Sequence, residues 1–242
     1  MMRISVVTPS YNQGRFIERT IRSVLDQGYP ELEYVICDNC SSDQTAQILN
    51  MYADRLRILR EPDHGQADAV NKGICATSGE LIGWLNSDDV YRPGTLITLS
   101  AYFDRHPELD VLYGDANLID VDDNVIGRYY TEPWNPKRLA YRPHLCQPAV
   151  FFRRRVVDRF GLLDKDLHYT MDYEYWLRLA RGGATFAYVP LTLACSRVHP
   201  DTKTLTHSGR LNDELNVMLK RYVNKIPDGW ILLPEGSSDE AG

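Results

Sequence analysis

The stretch LIGWLNSDDV, residues 81–90, is an apolar run that ends abruptly in two adjacent carboxylates. Leu81, Ile82, Trp84 and Leu85 suit the middle of a sheet, whereas Asp88 and Asp89 repel one another and resist leaving water. An apolar strand with a polar C-terminal end recurs three times upstream, in RISVVTP (3–9), EYVICD (33–38) and LRILRE (56–61). Between these runs, GRFIERTIRSVLDQG (14–28), DQTAQILNMYAD (43–54) and QADAVNKGICAT (66–77) carry apolar residues at helical spacing. PGTLITLSAYFDRH (93–106) predicts a further helix, opened by Pro93. Regular strand–helix alternation implies an α/β fold with a mainly parallel central sheet flanked by helices, and near-continuous apolar strands fit burial on both faces.

Beyond residue 108 the rhythm loosens. DVLYGDANLID (110–120) and VIGRYY (125–130) predict a hairpin across VDDN, and QPAVFFR (147–153) a strand. DYEYWLRLARGG (172–183) predicts an amphipathic helix stopped by glycines, TFAYVPLTLACSRVH (185–199) an extended segment, and SGRLNDELNVMLKRYVNK (208–225) a closing helix. For that last helix three placements are open: docking on its own domain, which is the default, pairing with a second subunit as a homodimer, or lying on a membrane surface. Residues 120–146 and 200–210 are the least readable, and residues 234–242 suggest a disordered tail. With no linker and no repeat, residues 1–233 are expected to form a single domain.

Composition narrows the classes of function. The chain has 242 residues, 43% hydrophobic and 25% charged, ordinary for a globular protein. A formal net charge of −6 makes the whole chain a poor partner for nucleic acid, a dense polyanion. No segment has the roughly 18 consecutive apolar residues of a membrane span. The expectation is a cytoplasmic protein, at most peripheral at the inner face of a membrane. Five scattered cysteines give no disulfide framework, and the C-x-x-C of Cys37 and Cys40 lacks a second pair for zinc. Arg153, Arg154 and Arg155 read as a solvated face, with anionic headgroups or acceptor phosphates as the functional alternative.

In an open parallel sheet, ligands bind beyond the carboxyl ends of the strands. That rule gathers Thr8 and Tyr11, Asp38, the segment EPDHGQAD, and Asp88 with Asp89 around one crevice. With Asp38, Asp63, Asp68, Asp88 and Asp89 in it and Lys72 as the main cation, the crevice suits a divalent cation with hard oxygen ligands, Mg2+ or Mn2+. Neither a G-x-x-x-x-G-K-[ST] loop nor a G-x-G-x-x-G turn is present. A metal bridging the phosphates is an alternative to a glycine cradle. A simple turn or helix-capping role for Asp88 and Asp89 stays open at this point.

The segments ISVVTPSYNQGRFIERTIRSVLDQ, YVICDNCSSDQT, HGQADAVNKGICATSGELIGWLNSDDVYRPGTL, HLCQPAVFFRR and YTMDYEYWLRLA together resemble, in order, the family 2 glycosyltransferases of GT-A fold, over roughly residues 3–200. The resemblance implies an inverting glycosyltransferase. It divides the domain into a nucleotide-sugar-binding half (1–107) and an acceptor-side half (108–233). Asp38 would hydrogen-bond the nucleotide base, with Asn39 where a second Asp is common. Thr8 and Tyr11 would contact the nucleoside, and Gln66 and Asp68 the nucleotide sugar, although the place of the latter two at a helix start makes capping a competing reading. Asp89 would ligate the metal and Asp88 the ribose or sugar. His199, in SRVHPDT, would join the metal and diphosphate, although a plain loop histidine is an equal reading. Val70 stands where an arginine is common, leaving Lys72 to replace the charge. Trp84 and Trp176 read as core. The implied partners are a nucleoside diphosphate sugar, UDP-sugar favoured, and a saccharide or lipid-linked acceptor, with a place in polysaccharide biosynthesis.

Asp172 and Glu174 sit two apart on one helix and so do not share a face. Asp172 lies at the rim of the buried stripe, in a first turn where the helix dipole favours a carboxylate. The resemblance selects the same residue as general base. Two other classes stand beside this reading: a metal-dependent sugar nucleotidyltransferase, for which TPSYNQGR is a poor triphosphate loop, and a non-catalytic nucleotide-sugar-binding module, which needs no base.

Overall fold

The computed structural model describes residues 1–206 and 208–223, without the side chains of 204, 205 and 208. The last residues of the expected closing helix and the expected disordered tail lie outside the described residues. The first half follows the expected alternation. Strand β1 (Ile4–Ser10) leads to helix α1 (Ile17–Leu25), β2 (Leu32–Asp38) to α2 (Thr45–Met51), β3 (Arg57–Arg60) to α3 (Gln66–Cys75), and β4 (Leu81–Trp84) through a short β5 (Val90–Tyr91) to α4 (Thr95–Arg105). Strands β3, β2, β1 and β4 are parallel neighbours in that order. The burial of β1 and β4 is complete on both faces, because helices cover each side. Gly73 on α3 permits that cover: a Cβ there would stand 2.3 Å from Val7 Cγ1, so only glycine lets the helix lie this close to β1.

The second half extends the same sheet in mixed sense. β6 (Val111–Ile119) and β7 (Val125–Arg128) form the expected hairpin. A 3-10 turn at Gln147–Ala149 precedes β8 (Val150–Arg153), which pairs antiparallel with both β4 and β6. β9 (Phe186–Arg197) runs parallel to β6 and antiparallel to β5. Pro190 does not end β9; the register against β6 shifts between Gly114 and Ala116 instead, the usual accommodation of a residue that donates no ladder bond. Short α5 (Pro136–Leu139) falls in the stretch left unread, α6 (Arg154–Phe160) follows β8, α7 (Met171–Arg181) carries Asp172, and α8 (Lys203–Thr206) and α9 (Ser208–Leu219) close the described chain.

The arginine run is only partly a solvated face: Arg153 is buried, Arg154 half-buried and Arg155 exposed. Arg153 donates to the carbonyls of Leu109, Phe103 and His106, and Arg154 to those of Gly79 and Ile74. Arg155 pairs with Asp110 and donates to the carbonyls of Pro107, Glu108 and Leu109. Together they satisfy loop carbonyls at the strand starts, away from the carboxyl ends where the site opens. Helix α9 docks on its own domain: Leu211, Leu215, Met218 and Leu219 are buried. Trp176 is core, as expected. Among the described residues no helix is long and apolar enough to cross a membrane.

Candidate active site

A cleft of about 470 Å³ opens at the carboxyl ends of β1, β2 and β4. Its floor is organised by Asn86, just past β4. The Asn86 amide makes all four of its hydrogen bonds: Oδ1 accepts from Trp84 Nε1 (2.9 Å) and Gln66 Nε2 (2.7 Å), and Nδ2 donates to Gln147 Oε1 (2.9 Å) and Asp89 Oδ2 (3.2 Å). A saturated amide of this kind fixes the turn that follows. Thr20 of α1 secures the turn from outside, its hydroxyl shared between the carbonyls of Ser87 and Asp89.

The turn sends the two adjacent carboxylates in opposite directions. Asp89 is 3% exposed and its Oδ1 accepts the Arg197 amide at 2.8 Å. Burial, and then the neighbouring Asp88 charge, push the Asp89 carboxyl well above the ordinary carboxylate range. Asp88 keeps 22% of its side chain open, and its Oδ2 stands 3.1 Å from His199 Nε2. His199 Nδ1 is buried with no hydrogen-bond partner. The imidazole rests against the Phe16 ring, centroids 4.9 Å apart, and the Arg197 guanidinium lies over the same ring at 5.0 Å. That guanidinium is fully buried; it donates to the carbonyls of Asp88 (2.7 Å) and Asp120 (2.6 Å) and pairs with Asp123. Asp123 also takes a bond from Arg19, which ties the β6–β7 turn to α1.

Asp172 lines the same cleft from the first turn of α7. Its Oδ1 accepts the Tyr173 amide at 2.8 Å. Desolvation dominates its environment and pushes its carboxyl up to about 6. Glu174 does point elsewhere: it is buried, pairs with Arg178 at 2.9 Å, and accepts the Tyr222 hydroxyl.

Of the nine residues singled out in the sequence, Tyr11, Gln66, Asp88, Asp89, His199 and Asp172 line the cleft. Three do not. Thr8 is sealed beneath the sheet surface with its hydroxyl against Tyr34 Oη at 3.2 Å. Asp38 is enclosed by its own loop: Ser41 donates to it through amide and hydroxyl, and Arg60 Nε lies 3.4 Å away. Its neighbour Asn39 lines the cleft instead. Asp68 is buried beside the cleft, taking the His64 amide and flanked by Lys72 and Lys165. Lys72 does not supply the cleft's positive charge, since it reaches the Pro62 carbonyl and Glu61. The lysine that lines the cleft is Lys203, bonded to Gln66 Oε1 at 2.9 Å. Sequence reasoning missed Asn86, Lys203 and Arg197. Asn86 was visible in the NSDD motif itself; the other two arrive from residues 197–203, near the stretch with no periodicity to place it.

The family of the chain follows from its likeness to known proteins. The family model described as "Glycosyl transferase family 2" matches residues 5–161, which includes the whole β4 turn. The chain belongs to glycosyl transferase family 2. An uncharacterized glycosyltransferase of Rickettsia typhi is 26% identical over 98% of this chain and 76% of its own length. One of Rickettsia conorii is 26% identical over 97% of this chain, which spans only 40% of that relative. A PGL/p-HBAD biosynthesis glycosyltransferase of Mycobacterium bovis is 27% identical over 72% of this chain and 68% of its own length. In structure, S. aureus TarS 1-349 in complex with UDP-GlcNAc superposes with a TM-score of 0.72 at 20% identity, covering 90% of this chain and 65% of that one. Mannosyltransferase PcManGT from Pyrobaculum calidifontis, in complex with GDP-Man and Mn2+, superposes at 0.68 with 19% identity over 93% and 66%. The fold of this family 2 glycosyltransferase is thus GT-A.

Proposed function

We propose that this family 2 enzyme is an inverting transferase that moves a sugar from a nucleoside diphosphate sugar, a UDP-sugar in preference, to a hydroxyl of a saccharide or lipid-linked acceptor. The observation that carries the reading is the sharing of one cleft by Asp172 and the Asp88–His199 pair. A carboxyl group pushed up to about 6 is close to the working range of a general base. In the proposed reaction, Asp172 removes the proton of the acceptor hydroxyl as that oxygen attacks the anomeric carbon. The bond from that carbon to the diphosphate oxygen breaks in the same displacement, so the configuration inverts. Lys203 adds positive charge beside the departing diphosphate, and Tyr11 and Asn39 line the nucleoside end.

A divalent cation, Mn2+ or Mg2+, fits the donor set. Among the described residues no cluster of three His, Cys, Asp or Glu side chains is present, but Asp88 and His199 offer an oxygen and a nitrogen 3.1 Å apart, and such ions commonly complete their shell with phosphate oxygens and water. We assign the ion to Asp88 with His199, and a turn-bracing role to Asp89, in place of the direct ligation by Asp89 expected from the sequence. When bound, the ion would neutralise charge on the leaving diphosphate.

The test is turnover of a panel of nucleotide sugars in Mn2+, in Mg2+ and in chelator, with proton NMR of the first-formed product. The expected result is metal-dependent transfer with the opposite anomeric configuration to the donor. Retained configuration, or full activity in chelator, overturns the reading.

A further inference from the structure

We propose that Glu214, carried on the C-terminal helix α9, is a positioning residue for the transfer, holding in place the turn that delivers Asp172; this rests on Asp172 being the general base. One carboxylate gathers the whole entry to α7. Glu214 Oε2 accepts the His168 amide, and Oε1 accepts the Tyr169 amide, the Thr170 amide and the Thr170 hydroxyl, each at 2.8 Å. Thr170 occupies the N-cap position yet makes no cap bond of its own, so the acceptor that should come from the cap residue comes instead from a helix more than 40 residues downstream. The carboxylate also stands where the positive end of the α7 dipole favours it. His168, Tyr169, Met171 and Asp172 all line the cleft; the segment clamped by Glu214 is therefore the wall that presents the base.

The C-terminal segment is anchored independently at three further points, in the first turn of α7, at its last residue and in the loop before it. Tyr222 reaches Glu174, Arg181 donates to the Arg221 carbonyl, and Arg221 pairs with Asp164 at 2.9 Å. Leu215, Met218 and Leu219 are buried as well, in the same apolar cluster as Met171, Trp176 and Leu179 of α7. An ångström of freedom at a reacting group is enough to cost about 10²-fold in rate, so a helix end held by four bonds to one carboxylate bears on turnover as well as on folding.

The same carboxylate acts on Asp172 through its charge. The groups around Asp172 are Tyr173 on its own helix, Tyr129 beyond β7, Cys146 before the 3-10 turn, His168 and Tyr169 in the clamped loop, and Lys203, His199 and Asp88 elsewhere in the cleft. Burial raises the Asp172 carboxyl most, and Glu214 is the neighbouring charge that adds to it. Removing that charge lets Asp172 ionise at lower pH.

Glu214→Gln and Glu214→Ala are compared with wild type by kcat, donor KM and the pH profile of kcat/KM, well below their melting temperatures. Glu214→Gln keeps the size and three of the bonds, but presents an NH2 to the His168 amide. Its acid limb should move to lower pH, with kcat reduced and donor KM unchanged. Glu214→Ala should lose about 10–100-fold in kcat, the scale of a misplaced reacting group. Arg221→Ala, which loosens α9 at the other end, should lower Tm and leave the pH profile in place. A Glu214→Gln enzyme with wild-type kcat and an unshifted acid limb overturns the proposal, even if Glu214→Ala is merely unstable. Asp172→Asn separates the two readings: full activity there defeats the base assignment, whereas an inactive Asp172→Asn beside an unaltered Glu214→Gln defeats only the role of Glu214.

Discussion

At the β4 end of the cleft, Asp88 is held by a turn whose braces come from many places: Asn86 beside it, Thr20 on α1, Gln147 from the acceptor half and Arg197 from β9. At the α7 end, Asp172 is held by a helix start whose braces converge on one side chain, Glu214. The first shore is redundant: removing one brace leaves several. The second is concentrated. A site built this way keeps its donor side rigid while the side that meets the acceptor depends on a single docked helix.

The sharpest break in that comparison is chemical. Asp172→Asn keeps the size and the bond from the Tyr173 amide but cannot take the proton. Turnover should fall about 10²–10⁴-fold, the usual contribution of a general base, while titration calorimetry with the nucleoside diphosphate shows unchanged affinity. Glu174→Gln, buried in its own network with Arg178, should leave the rate far closer to wild type.

Next in size is the contrast between neighbours. Asp89→Ala strips the acceptor from the Arg197 amide and from Asn86 Nδ2, two buried donors at about 1–3 kcal/mol each. Its Tm should drop by about 2–4 °C for each kcal/mol in a chain of this size. Asp88→Ala leaves the buried His199 Nε2 without its partner, one group at about 1–3 kcal/mol against two for Asp89→Ala, so its Tm should fall less, yet metal-dependent binding of the nucleoside diphosphate should be abolished. Thermal melts with and without Mn2+ and nucleotide check both. If Asp88→Ala is the less stable variant, or still binds nucleotide through the metal, the assignment of the two residues reverses.

The sequence made one shore more legible than the other, for a physical reason. Strand-end residues of a parallel sheet announce themselves, because β1, β2 and β4 must end near one line and each strand is a continuous apolar run. Asp88, Asp89 and Tyr11 followed from that. What the pattern could not convey is which way a side chain turns once the strand is over. Asp38 ends its strand as expected, but Ser41, three residues later, closes the loop on it and leaves Asn39 facing the cleft. Arg197 and Lys203 lie on and beyond a strand interrupted by Pro190, and Glu214 is an ordinary helix glutamate until α9 docks. Such residues acquire meaning only from long-range packing.

A smaller effect tests the nucleoside end of the first shore. Asn39→Ala should weaken nucleoside diphosphate binding by about 0.5–1.5 kcal/mol, one ordinary hydrogen bond, because Asn39 lines the cleft where Asp38 is enclosed. Calorimetry decides it. An Asn39→Ala enzyme of wild-type affinity, with Asp38→Asn weakened, would return the base contact to Asp38.

The subtlest effect is on stability, and its sign separates the shores again. Asp172 binds its proton more tightly when folded, near about 6, than in the unfolded chain, near about 3.9. Between those two values the folded state holds the extra proton, so stability is fully retained below the lower value and is lost as pH rises through the upper one. Water in the cleft screens part of the effect, which keeps it to a modest fraction of the total. Asp172→Asn has no proton to lose there and still accepts the Tyr173 amide. Melts of wild type and Asp172→Asn at pH 5 and pH 8 should therefore show the variant gaining on wild type at the higher pH, the reverse of what removing a salt-bridged carboxylate does. Equal differences at the two pH values would mean that Asp172 titrates alike folded and unfolded, and that the cleft does not hold it in the desolvated state that suits a base.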